Sequence, residues 1–199
     1  MNDIKTMNHA ADNIRILTAA MVEKAKSGHP GGAMGGADFI NVLYSEYLQY
    51  DPENPRWEGR DRLFLDPGHM SPMLYSVLTM TGHFTLEDLQ QFRQWGSNTP
   101  GHPELNVMRG VENSSGPLGQ GHTYGIGAAI AAKFLAARTG NQTFNKETIY
   151  IYISDGGIRY HLTAGCPALK RTIMEKTRDE VTGVPACHKC GNRKEGGTE

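Results

Sequence analysis

The segment TIYIYISDGG, residues 148–157, decides the fold class predicted for this chain. Isoleucine alternates with tyrosine in its first half, so both faces are apolar, as is typical of a parallel strand buried between layers of helices. A second short apolar run, DRLFLD at 61–66, is consistent with another buried strand. Helical patterns separate the two runs. Helices that alternate with short buried strands predict an α/β fold, with a layered parallel sheet flanked by helices.

The helical patterns can be placed from their spacing and their end signals. Apolar residues recur at helical spacing over 9–26, which predicts an amphipathic helix with Asn8 as its N-cap. The glycine-rich segment that follows, 28–36, predicts a loop. The residues TLED, 85–88, form a capping signal for a further helix. A long helix lined with small residues is predicted for 122–140, where a glycine ends it.

Composition limits the classes of function. The chain has 199 residues, and 20 Lys and Arg against 21 Asp and Glu leave a net charge of −1. This balance gives no electrostatic argument for nucleic acid or for an anionic membrane as a partner. No apolar run approaches the roughly 20 residues of a membrane-spanning helix, and the N-terminal MNDIKTMNHAADN has no apolar signal core. We therefore expect a cytoplasmic enzyme that binds neither nucleic acid nor a membrane.

Three histidines share an unusual setting, because each lies in a loop restrained by glycine and proline. They are His29 in KSGHPGG, His69 in DPGHMSP and His102 in TPGHPE. A single loop histidine is usually a solvated side chain. Three in rigid loops form a set suited to binding hydroxyls or phosphates and to moving protons near neutral pH. The other histidines of helical segments are predicted to be structural: His9, His83 and His122.

Two further segments have the composition of anion and metal sites. In SSGPLGQG, 114–121, the glycines permit close backbone approach, and the helix that follows offers N–H groups to an anion. The alternative is that these glycines serve packing. Asp155 follows the predicted strand, with Gly156 beside it. A carboxylate there is a natural ligand for Mg²⁺ that bridges a diphosphate, and the alternative is a turn that only ends the strand.

Four motifs in this order carry a family resemblance: KSGHPGGAMGGADFINVLY, FLDPGHMSPMLY, TPGHPE and SGPLGQG. From about residue 7 to Ile158 the chain closely resembles the N-terminal, diphosphate-binding domain of the transketolase family. The resemblance implies thiamine diphosphate with Mg²⁺ or Ca²⁺ as cofactors, and transfer of a two-carbon ketol unit between sugar phosphates. A related synthase that makes deoxyxylulose phosphate shares the cofactor, but TPGHPE together with SGPLGQGHTYGIGAA favours transketolase.

The resemblance also implies roles for individual residues. His29, His69 and His102 match the active-site histidines that bind substrate or transfer protons, and His69 lies in addition near the cofactor diphosphate. The remaining matches are cofactor contacts at Gly116, Leu118 and Gly156, and a metal ligand at Asp155.

The resemblance is expected to stop near residue 158. We predict a partial diphosphate-binding domain over 1–158 and a polar, poorly ordered tail over 159–199, with 13 charged residues in 41. The family's later metal-ligating asparagine and its second domain are not recognised, so we expect a chain that is catalytically incomplete alone. One alternative is a subunit of a split transketolase completed by a complementary chain. Another is a non-catalytic binding module with a zinc site in the tail, formed by Cys166, Cys187, His188 and Cys190.

Overall fold

A computed structural model describes residues 2–141, 143 and 149–153. In this part of the chain a parallel pair of strands accompanies six helices. The helices are α1 (Ile4–Ala25), α2 (Pro30–Gly35), α3 (Ala37–Val42), α4 (Ser71–Met80), α5 (Leu86–Gln90) and α6 (Gln120–Thr139). The strands are β1 (Arg62–Asp66) and β2 (Ile149–Ile153). One π-helical turn, Leu43–Tyr47, prolongs α3.

The two strands confirm the parallel pairing expected from the sequence. Leu63 lies opposite Tyr150 and Asp66 lies opposite Ile153, so the carboxyl ends of β1 and β2 meet at one edge. Helix α6 contacts both strands. Its Gly121 lies so close to β1 that a Cβ atom there would come within 2.1 Å of the Leu65 carbonyl oxygen. The larger layered sheet stays a prediction.

The hydrophobic core lies where α1, α3 and α4 pack together beside β1. Helix α4 is enclosed most completely, since every residue from Ser71 to Leu78 is buried. Ile14 of α1, Ile40 of α3 and Leu65 of β1 are fully buried against it. Among the described residues, no helix combines the length and the apolar character needed to cross a membrane.

Two local predictions were wrong. Helix α1 begins at Ile4, well before residue 9, because the Asp3 carboxylate caps it by accepting the N–H groups of Lys5 and Thr6. The predicted loop at 28–36 contains α2, because Pro30 occupies the first helical position, where its fixed φ favours a helix and its missing N–H costs nothing.

Two other local predictions are confirmed. The Thr85 hydroxyl accepts the Asp88 N–H at 3.1 Å, and the Asp88 carboxylate accepts the Thr85 N–H at 3.0 Å, which completes the capping box. Helix α6 ends at Gly140, whose φ of +70° lies in the left-handed region that glycine tolerates best.

Candidate active site

Two of the predicted histidines lie side by side. His29 is the N-cap of α2, and His69 lies in a single 3-10 turn, Gly68–Met70, that joins β1 to α4. Their ring centroids are 4.8 Å apart and the rings are inclined by 47°. Two helix starts that are 40 residues apart in the chain thus place two imidazoles in contact.

The third histidine belongs to the same cluster through Gly68. A Cβ atom at Gly68 would lie 1.9 Å from the Ser115 carbonyl oxygen and 3.2 Å from Cδ2 of His102. Only glycine fits a position where two other loops approach so closely. The histidine loops and the start of the SSGPLGQG segment therefore meet at one point beyond the end of β1.

The loop that carries His102 is held mainly by α4. The Ser71 hydroxyl donates to the Gly101 carbonyl at 2.8 Å, and the Tyr75 hydroxyl donates to the Pro100 carbonyl at 3.0 Å. Thr99 is buried and its hydroxyl donates to the Asp88 carbonyl at 2.8 Å. The first two bonds satisfy carbonyls of the irregular backbone, and the third attaches the loop to α5. The loop is therefore fixed without regular secondary structure.

The electrostatics of the cluster favour a neutral His102. Partial burial lowers its pKa below the ordinary value of 6.5, and the charge of Arg93 and the proximity of His29 lower the pKa further. At pH 7 the ring is therefore unprotonated, and one nitrogen is able to accept a proton or a hydrogen bond.

The glycine-rich segment before α6 uses some of its N–H groups internally. Gly116 N–H donates to Oε1 of Gln120 at 2.9 Å, and Gly119 N–H donates to Oδ1 of Asp66 at 3.2 Å. The other Asp66 oxygen lies 2.8 Å from Nδ1 of His122. Sequence reasoning missed Asp66, although an acidic residue at the end of DRLFLD is the same signal that drew attention to Asp155. His122, predicted to be structural, is its hydrogen-bond partner.

The same segment also has features that fit a bound cofactor. A Cβ atom at Gly116 would meet nothing within 4 Å, so the backbone there borders open space. The Ser115 hydroxyl is buried and has no hydrogen-bond partner among the described residues. Leu118 is 76 % exposed, which leaves an apolar side chain free to contact a ligand. An open glycine, an unsatisfied hydroxyl and an exposed leucine beside three histidines fit a ligand with both anionic and apolar parts.

Several predicted residues lie outside the described part of the chain: Asp155, Gly156, Cys166, Cys187, His188 and Cys190. Within the described part, no group of three or more His, Cys, Asp or Glu side chains is arranged to hold a metal ion. The metal ligand and the zinc site therefore stay predictions.

Comparison with known proteins places the chain in a family. The family profile described as "Transketolase, thiamine diphosphate binding domain" matches residues 6–169, which extends 11 residues past the expected limit at 158. Transketolase 1 of Pasteurella multocida is 47% identical over 155 residues, which are 76% of this chain and 23% of that protein.

Solved structures agree in fold and in sequence. The transketolase of Campylobacter jejuni superposes with a TM-score of 0.68 at 44% identity, over 76% of this chain and 23% of that one. A transketolase of Pichia stipitis, solved as a complex with sedoheptulose-7-phosphate, gives a TM-score of 0.66 at 39% identity, over 74% and 22% of the respective chains. This chain spans about a quarter of the length of the relatives that it matches. With the fold, the histidine cluster and these matches in agreement, the chain belongs to the transketolase family and carries its thiamine diphosphate-binding domain.

Proposed function

We propose that this chain supplies the diphosphate-side half of a transketolase active site, which transfers a two-carbon ketol unit between sugar phosphates. The observation that carries the proposal is the meeting of His29, His69 and His102 beside the open backbone of Gly116. The sedoheptulose-7-phosphate in the Pichia stipitis complex supports sugar phosphates as the substrate class.

Each histidine has a role that follows from its surroundings. His29 and His69 present two adjacent imidazoles that donate hydrogen bonds to hydroxyl or phosphate oxygens. His102 is able to accept a proton at pH 7, because burial and the charge of Arg93 hold its pKa below the ordinary value and favour the neutral ring. Proton transfer and substrate orientation are thus divided among three side chains on three loops.

The glycine-rich segment would hold the cofactor. Gly116 allows close approach of the diphosphate, the Ser115 hydroxyl is available as a donor, and Leu118 offers an apolar contact. Thiamine diphosphate, when bound, supplies a nucleophilic thiazolium carbon that side chains cannot provide. Asp155 would ligate the accompanying Mg²⁺ or Ca²⁺, with Gly156 leaving room for the diphosphate.

The rest of the proposed active site corresponds to the parts of the relatives that this chain does not match. The chain corresponds to 23% of its Pasteurella multocida relative. We therefore propose that residues 1–199 alone perform no ketol transfer. Activity requires the equivalent of the remaining three quarters, which a complementary chain would supply, and we propose that the completed enzyme assembles as the family-type homodimer. The layered parallel sheet would be completed in that assembly, which we expect in the cytoplasm.

Cofactor binding is the first test. Thiamine diphosphate with Mg²⁺ is titrated into the chain by calorimetry, and His69→Ala is compared with His9→Ala. His9 lies exposed on α1 and is the matched control. Binding that weakens for His69→Ala and stays unchanged for His9→Ala is expected. Equal binding by both variants would remove His69 from the cofactor site.

Complementation is the second test. The chain is mixed with a transketolase from which the matched region has been deleted, and ketol transfer from sedoheptulose-7-phosphate to an aldose phosphate is measured. Activity is expected only in the mixture. Activity of the chain alone would contradict the proposed incompleteness, and an inactive mixture of two cofactor-binding chains would contradict complementation.

A further inference from the structure

We propose that Arg93 is a positioning residue of this site, which ties the loop before His29 to the loop that carries His102. Its catalytic consequence rests on the proposed function, but the bridge itself is a property of the described structure. Arg93 is not one of the residues that the sequence motifs single out.

The loop that carries His102 begins at Arg93. The residue lies just after α5 with a φ of +62°, a left-handed conformation that few non-glycine residues adopt. Its N–H donates to the Thr99 carbonyl at 2.9 Å, which closes the segment 93–99 into a loop. A strained backbone of this kind persists only where the surroundings fix it.

The side chain joins the two histidine loops. Nη1 donates to the Ser27 hydroxyl, two residues before His29. Nε lies against Gly101, where a Cβ atom would come within 2.4 Å of it. Gly101 immediately precedes His102, so the guanidinium spans from one histidine loop to the other, and the absence of a side chain at Gly101 leaves room for it.

Arg93 affects the site through its positive charge as well as through its contacts. Among the residues that the structure describes, no carboxylate forms an ion pair with Arg93, and its side-chain hydrogen bond goes to a neutral hydroxyl. The charge therefore acts on His102, where Arg93 is the second cause of the lowered pKa after burial. His29 is the third cause, and it lies two residues after Ser27, where the other end of the bridge is attached.

The test is a pH titration of His102 in the full chain, followed by NMR of ¹³C-labelled histidine, with the signal assigned through His102→Gln. Arg93→Gln removes the guanidinium and its positive charge. The titration midpoint of His102 is therefore expected to move to higher pH. Arg93→Lys keeps the charge and is expected to hold the midpoint closer to that of the unaltered chain. An unchanged midpoint in Arg93→Gln would overturn the proposal.

Two further variants separate position from charge. Arg138→Gln removes the same charge at the far end of α6, about 28 Å from its start for a 20-residue helix, and is expected to leave His102 unchanged. Ser27→Ala keeps Arg93 but removes the bridge, and a smaller upward shift is expected. No shift in Ser27→Ala, or an equal shift in Arg138→Gln, would refute the bridge.

The readout does not depend on the proposed activity. If the chain failed to bind thiamine diphosphate while the His102 midpoint responded to Arg93 as expected, the proposed function would fall and the bridge would stand. If Arg93→Gln did not fold, Ser27→Ala and Arg93→Lys would still decide the matter. The inference would be rejected if the titration midpoint of His102 were unchanged in Ser27→Ala and far above that of the unaltered chain in Arg93→Lys.

Discussion

Helices α4 and α6 both carry large apolar side chains but have very different surroundings. In α4, every residue from Ser71 to Leu78 is buried, including the hydroxyl residues. In α6, twice as long, the buried residues are Gly121, Gly125, Ala132 and Ala136. The apolar side chains Ile126, Ile130 and Phe134 recur every four residues on its surface and are at least half exposed.

The difference shows that apolar character alone does not identify a core helix. The described part of the chain encloses α4 by itself, since α1, α2, α3 and α5 all pack against it. It covers only the small-residue stripe of α6, which contacts β1 and β2. A hydrophobic side chain therefore contributes to the stability of this chain in α4 and contributes little in α6.

The largest effect should separate the two helices directly. Leu74→Ala in α4 is expected to lower the free energy of unfolding by about 3 kcal/mol, because it leaves a cavity in an enclosed core. Ile130→Ala in α6 removes a comparable side chain from an exposed position, and a change within about 0.5 kcal/mol is expected. Urea unfolding of both variants measures the two values. Equal losses would mean that the α6 face is covered in solution.

A second pair compares the two faces of α6. Gly121→Ala would place a methyl group 2.1 Å from the Leu65 carbonyl oxygen, and the displacement of backbone should cost about 2 kcal/mol. Gly127→Ala meets nothing within 4 Å and should stabilise the helix by about 0.5 to 1 kcal/mol. Urea unfolding should therefore give a lower midpoint for Gly121→Ala and a higher midpoint for Gly127→Ala than for the unaltered chain. A stable Gly121→Ala variant would contradict the close packing of α6 on β1.

The third prediction concerns Asp88 of α5, the short helix that packs against α4. Burial alone would raise the pKa of Asp88. Hydrogen bonds from Asn98, Thr85 and Arg109 outweigh it and lower the pKa to about 2. Because the folded pKa lies below the unfolded one, the contribution is present above about pH 4 and is lost as the pH falls towards 2.

Asp88→Asn tests this contribution. The variant should lose about 2 kcal/mol at pH 7 relative to the unaltered chain, since each unit of pKa corresponds to about 1.4 kcal/mol. The two chains should converge in stability as the pH falls from 4 to 2. A difference that does not change with pH would show that the loss comes from the capping geometry and not from the charge.

Local chemistry explains which features could be predicted from the sequence. The capping box of Thr85 and Asp88 involves neighbours in the chain, and so does the end of α6 at Gly140; both were predicted. The histidine cluster followed from three repeated motifs. Asp66 and His122 are 56 positions apart in the chain, and Arg93 and Ser27 are 66 positions apart. No local sequence pattern encodes contacts over such separations. The start of α1 was missed because Asp3 outcompetes the later Asn8 as a cap.

The side chain of Asn113 covers one edge of the strand pair. Its buried side-chain amide accepts the Leu65 N–H at 3.1 Å and donates to the Leu65 carbonyl at 3.4 Å, and both groups point away from β2. The amide therefore imitates a neighbouring strand at the free edge of β1. A foreign strand that approached this edge would have to displace it, which protects the edge from the pairing that leads to aggregation. Among the described residues, the side chain of Asn113 thus occupies the side of β1 that lies opposite to β2.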